Sequence, residues 1–135
     1  MELVAGDRWI FSVLNTDETL KSMISGVFSF PAPKTAGFPY VIFQDVTSTD
    51  LRGVGPIRIG LSGEWLIRAV GESNTYGGTL ESIADRVDSL LQAASGSQVW
   101  SCVRLRPFRL VETSTERQVR HLGCFYRLWV HARES

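Results

Sequence analysis

The strongest constraint on the fold is a stripe of apolar side chains between residues 79 and 94. Leu80, Ile83, Ala84, Val87, Leu90, Leu91 and Ala94 recur at three-, four- and seven-residue steps, Glu81, Asp85, Asp88, Ser89 and Gln92 fill the other side, and Ser95-Gly96 supplies a stop. This pattern predicts an amphipathic helix, which needs an apolar surface to lie on. The chain supplies one directly afterwards. Residues 99–111 and 119–130 read as two strands joined by a polar turn at 112–118, predicting an antiparallel hairpin. If that hairpin turns about Thr115, Cys102 faces Leu128 and Cys124 faces Arg106. The thiols are then offset by four residues, about 13 Å, and no disulfide is expected. Pro107 cannot donate a ladder hydrogen bond, so its strand is expected at a sheet edge or bulged there.

Upstream, Trp9, Ile10, Val13 and Leu14 have helical spacing with Asp7 available as N-cap. Thr16-Asp17-Glu18 opens a second helix, with Leu20, Met23 and Ile24 as its apolar stripe and Gly26 as its end. A proline-bounded connection from Phe28 to Gly37 leads into an aromatic and β-branched strand at 38–46. Residues 47–56 are polar with two glycines and a proline, predicting an extended loop or projecting arm, in which Leu51 and Val54 are unusual for a solvated segment. Residues 57–70 read as mainly extended, with Ile57, Ile59 and Leu61 alternating against Arg58, Gly60 and Ser62, a second run at 65–70, and a bulge expected near Gly60 or Gly63. The order predicts one α+β domain over residues 1–135: a mostly antiparallel sheet, helices on one face, an arm between strands, and a C-terminal hairpin.

Composition narrows the function classes. With 44% hydrophobic and 21% charged residues the chain has the usage of a globular domain, and disorder is disfavoured. Fourteen basic and fourteen acidic side chains give no net charge, which argues against a free-standing nucleic-acid binder and permits self-association. The balance hides a gradient. Residues 1–50 carry three basic and six acidic side chains (−3), residues 51–100 four and five (−1), and residues 101–135 seven and three (+4). Twelve of the fourteen cations are Arg, which suits bidentate pairing at an interface and equally a solvated charged face. The start of the chain does not read as a signal peptide, and no apolar run is long enough to span a bilayer. The expected setting is a reducing cytoplasm, unless lysis releases the protein, with Cys102 and Cys124 as small core hydrophobes.

A search for chemistry finds no catalytic constellation. His121 and His131 fall about 33 Å apart on one strand, cannot share a ligand within a subunit, and are expected at the surface or a strand end. Cys124 and His121 point to opposite faces. Gly53-Val54-Gly55 lacks the rest of a dinucleotide loop and Gly77-Gly78-Thr79 the rest of a phosphate loop. Glu112 and Glu116 read as turn residues. Arg104, Arg106, Arg109, Arg117, Arg120 and Arg127 crowd the hairpin. They could bind nucleic acid with Phe108, Phe125, Tyr126 and Trp129 stacking bases; the favoured reading makes those aromatics core and pairs the arginines with Glu64, Glu72 and the acidic half of a neighbour.

The helical pair, Gly26-Val27-Phe28, Ala32-Pro33, Phe38-Pro39-Tyr40-Val41-Ile42-Phe43, the polar arm, the long strand, Ile83-Ala84-Asp85-Arg86-Val87-Asp88-Ser89-Leu90-Leu91 and the terminal hairpin, in that order, resemble the tail terminator (tail completion) proteins of long-tailed bacteriophages and gene transfer agents, over about residues 6–131. The resemblance implies a virion protein, without catalysis or cofactor, that forms a sixfold ring on the last ring of the tail tube. Such a ring stops tube growth and joins the tail to the head-proximal stopper or connector while DNA passes through its lumen, unbound by sequence. Its partners would be further copies of itself, the tail tube protein and the connector, with no membrane. By position, Thr49, Asp50, Leu51, Arg52 and Val54 are expected to reach the tube or a neighbouring subunit. Arg104, Arg106 and Arg120 are expected at subunit contacts or the lumen. The alternative within virion assembly is a head-completion or stopper protein of the neck; outside it, a small nucleic-acid-binding module.

Overall fold

A computed structural model describes residues 1–72, 74–113 and 117–132. The elements run α1 (Glu2–Asn15), α2 (Glu18–Lys21), β1 (Val27–Ser29), β2 (Tyr40–Arg52), β3 (Arg58–Gly71), α3 (Thr79–Leu91), β4 (Val99–Thr113) and β5 (Gln118–His131). One five-stranded sheet has the order β1-β2-β3-β5-β4 and is antiparallel except for β1 against β2. This is the expected α+β architecture. At its centre β3 and β5 stay in unbroken register from Gly60 opposite His131 to Gly71 opposite Arg120.

The stripe on α3 does what its spacing requires. Leu80, Ile83, Val87 and Leu91 are buried, and they join Trp65, Ile67 and Ala69 of β3, Cys124, Tyr126 and Leu128 of β5, and Ala5, Ile10 and Leu14 of α1 in one core. Trp65 lies fully buried at its middle. Gly6 makes room for that indole, because a Cβ there would stand 2.6 Å from the ring. Asp7 is therefore not the helix cap expected from sequence. The helix begins nearly two turns earlier, at Glu2, and the Asp7 carboxylate accepts a 2.9 Å hydrogen bond from the Trp65 indole, whose buried N–H needs an acceptor. Burial pushes the Asp7 carboxyl upward.

Asp17 does cap α2, accepting from Leu20 N at 2.8 Å, and it binds Arg86 of α3 through two bonds of 2.9 and 2.6 Å. These bonds hold its carboxyl at about 2. The helix ends at Lys21 rather than at Gly26. The sheet claims the chain first: Ser25 N donates to Pro39 O, and Gly26 O accepts from Val41 N.

Residues 47–52 are strand, not loop. Thr47 and Thr49 suit a pleated surface, and β3 runs alongside to pair them up to Arg52 opposite Arg58. Only Gly53–Ile57 turns, closed by Gly53 N donating to Ile57 O at 2.7 Å, with Gly55 in the left-handed region at φ 71°. The arm is thus the end of a β-hairpin. The irregularity expected near Gly60 is present, since the register shifts between Leu51 and Arg52; a second shift falls between Asp45 and Thr47.

In the terminal hairpin Cys102 lies opposite Leu128 as expected, but Cys124 faces Pro107 rather than Arg106 because a bulge between Arg104 and Arg106 inserts Leu105. Both cysteines are free and buried, and burial pushes the Cys102 thiol up to about 12. Pro107 meets both of its options at once, since β4 is the edge strand and the bulge adjoins it. Of the expected turn at 112–118, residues 114–116 lie outside the described residues, and Glu112, Thr113 and Gln118 belong to the strands.

Candidate assembly surfaces

The helices cover one face of the sheet, where Val41, Trp65, Ile67, Tyr126 and Leu128 point. Strand alternation sends Ile42, Gln44, Glu64, Leu66, Arg68, His121, Phe125 and Arg127 to the other face, which no helix covers. Ile42, Glu64, Leu66, Arg68 and His121 are nevertheless buried, because the sheet's own side chains lie flat across one another.

Arg68, at 8% exposure, is the centre of this layer. Its Nε donates to His121 Nδ1 at 3.0 Å and its Nη1 to Gln44 Oε1 at 2.8 Å. Phe30 and Phe108 rings flank the guanidinium, each centroid 5.8 Å away. Gly123 makes this possible: it lies between Arg68 and Phe108 in the ladder, and a Cβ there would collide with the backbone carbonyl of Ile67. Because His121 accepts at Nδ1, its proton sits on Nε2, which donates to Glu112 Oε1 at 2.5 Å. Burial, then the Arg68 charge, holds the His121 pKa below its usual value. His121 is thus an interior group rather than the expected surface histidine. Glu112 is its partner rather than a turn residue; Glu116 lies outside the described residues.

A second charged cluster adjoins the first. Buried Glu64 takes Arg106 at 2.6 Å and Arg127 at 3.9 Å, Arg127 also donates to Ser62 Oγ at 2.8 Å, and Arg106 stacks 4.0 Å over the Phe125 ring. The expected pairing of hairpin arginines with Glu64 and Glu72 holds, since Arg117 reaches Glu72 at 2.8 Å. Among the expected aromatics only Tyr126 is true core, its hydroxyl donating to Asp88 at 2.9 Å; Phe108, Phe125 and Trp129 are half-buried on the helix-free face.

The residues singled out from sequence, Arg120 excepted, fall on the two flanks of the sheet. Thr49, Asp50 and Arg52 are exposed on β2, Leu51 is half-buried, and Val54 at the hairpin tip is 91% exposed, beside exposed Ile57 and Ile59. On the opposite flank, β4 presents Arg104 and Arg106 together with exposed Trp100, Val103, Leu105 and Leu110. Arg104 reaches Asp88 of α3 at 3.7 Å, and so projects to the helix side, opposite to Arg106. Arg120 lies on β5 and stacks 4.9 Å over Tyr76. The structure therefore does not join the three arginines into one patch. The Arg68 cluster was missed, although a lone Arg inside the apolar run 65–70 was a signal for it.

Among the described residues no group of three His, Cys, Asp or Glu side chains could hold a metal, and no helix is long and apolar enough to cross a membrane. What remains is a sheet protein with a polar, self-paired face and two flanks that each expose charged and apolar side chains. No protein-family model matches the chain, and no curated protein matches it. Among solved structures, it is similar to a chain from the structure described as "Virion of native gene transfer agent (GTA) particle". The TM-score is 0.68 at 15% identity, covering 91% of this chain and 92% of that one. The two share a fold across nearly their whole lengths.

Proposed function

We propose that this protein is a structural component of a virion or gene transfer agent particle, and specifically a tail terminator. Copies form a ring, hexameric in the resembled family, at the head-proximal end of a tail tube, where the ring ends tube polymerisation and joins the tail to the connector. The observation that carries this reading is the shared fold with a chain of a gene transfer agent virion over 91% of the sequence. The order of sequence elements and the exposed apolar residues on both sheet flanks support it. In this role the charged groups are structural, and the lumen passes DNA without reading it.

Electron microscopy of the purified protein mixed with its tube protein tests the proposal. Rings seated on one end of length-limited tubes are expected. A protein that stays monomeric and never caps tubes overturns it. Binding to the portal complex in place of the tube would instead identify a head-completion or stopper protein, and steeply salt-dependent DNA binding lost on replacing the hairpin arginines would identify a nucleic-acid module.

A further inference from the structure

We infer that copies of this chain join head to tail by antiparallel strand pairing, the open half of β4 in one copy against the open half of β2 in the next, with Arg109 opposite Asp50. The inference rests on the ring reading above and names the contact that would build the ring. Both flanks of the sheet are only partly closed. On one side β1 pairs with Val41–Phe43 alone, so the outer edge of β2 is bare from residue 45 to 52 among the described residues. On the other, Ala93 N donates to Cys102 O and the Gln92 side chain accepts from Arg104 N, which closes the first half of β4. Pro107 then offers a carbonyl without an N–H.

The bare stretches are therefore 107–113 on β4 and 45–52 on β2, nearly equal in length. Cys102 and Arg104 turn their backbone groups outward, and the ladder partners Leu128, Tyr126, Cys124 and Leu122 carry that parity past the bulge to Pro107, Arg109 and Val111. On β2 the same parity, fixed by Val41 and Phe43 facing β1, passes the Asp45/Thr47 shift to Asp45, Ser48 and Asp50. Residues with outward backbone groups share one sheet face, here the helix-bearing one. A rotation that carries one copy onto the next keeps that face on the same side and sets β4 antiparallel to the neighbour's β2.

In the register that opposes the two bare stretches, Arg109 meets Asp50. Asp45 and Asp50 have no ion-pair partner among the described residues, and Arg109 has only the Tyr76 ring, 5.4 Å away. The two edges differ from one another, so the contact is heterologous, giving a ring where the rotation between copies closes and an open filament where it does not.

The test uses the full-length protein carrying both Asp50→Cys and Arg109→Cys. Within one copy the two positions lie three strand spacings apart, about 14 Å, and also about eight ladder rungs apart along the strands, about 26 Å, because Asp50 aligns with Leu61 and Arg109 with Leu122 and Ala69, so no disulfide can join them. Mild oxidation is expected to give a covalent ladder ending in a closed species on non-reducing gels, and each single variant no ladder. In parallel, Asp50→Arg and Arg109→Asp should each lower the ring population at least ten-fold by mass photometry, and the two changes in one chain should restore it. Rings that form without the cross-link, or a double variant as defective as the singles with an unchanged Tm, overturn the pairing. Cross-linked rings that ignore tube ends keep the pairing and overturn the tail role. Copies that remain single both alone and with tubes overturn both.

Discussion

The two faces of the sheet are stabilised by different physics. Under the helices, Trp65, Ile67, Tyr126 and Leu128 are sealed by Ile83, Val87 and Ile10, and the energy comes from apolar area removed from water. On the uncovered face, burial is achieved by a flat lattice of charges and rings in which Arg68 is held from three strands, by Gln44, His121 and Phe108. The first face tolerates no hole. The second tolerates no missing partner, because a buried polar group without a hydrogen bond costs more than the bond contributes when made.

The contrast can be broken most severely from the apolar side. Trp65→Ala is expected to cost about 3–5 kcal/mol in denaturant unfolding, since it empties the middle of the core and strands the Asp7 carboxylate. Gly123→Ala should cost about 1–3 kcal/mol, because the added methyl meets backbone rather than a movable side chain. Arg68→Leu should cost a similar amount, about 1–3 kcal/mol, by leaving His121 and Gln44 unpaired. If Arg68→Leu proves neutral, the lattice contributes nothing that apolar packing does not.

Two smaller effects sharpen the comparison through pH and exposure. His121 is held neutral in the fold, so the unfolded state takes up a proton first. Stability should be full above the ordinary histidine pKa of about 6.5 and decline as pH falls below it, and His121→Gln should flatten that decline. Arg106→Ala should cost about 1–2 kcal/mol by the same unfolding assay: its own side chain is 54% exposed, but its loss leaves buried Glu64 with only Arg127 at 3.9 Å.

The apolar face was legible in the sequence where it is written in period: the 79–94 stripe names Leu80, Ile83, Val87 and Leu91, whereas of the alternating Ile57, Ile59 and Leu61 only Leu61 is core. The Arg68 lattice was not, because its members come from β2, β3, β4 and β5 and meet only through cross-strand register. A single inserted residue, Leu105, was enough to move Cys124 from Arg106 to Pro107. The arm was misread for a related reason. Residues 47–52 look like loop by polarity, yet β3 offers them a complete ladder, and pairing outweighs composition. Asp7 shows the same override inside a helix, where a distant indole claimed a side chain that local rules assign to a cap. The proposed site residues were legible by position only, as members of the flanks, and their grouping was not.

The clamp that Gln92 and Ala93 place on β4 bears on how a free copy avoids unwanted strand pairing. An edge of fifteen bare residues would be a template for any passing strand, and a crowded cell supplies many during synthesis. With its first half sheathed by the end of α3 and its middle interrupted by Pro107, the strand offers a stranger only a short run of bonds. In the proposed ring, unassembled copies would stay apart, and the few exposed bonds would hold only where many copies close a circle together.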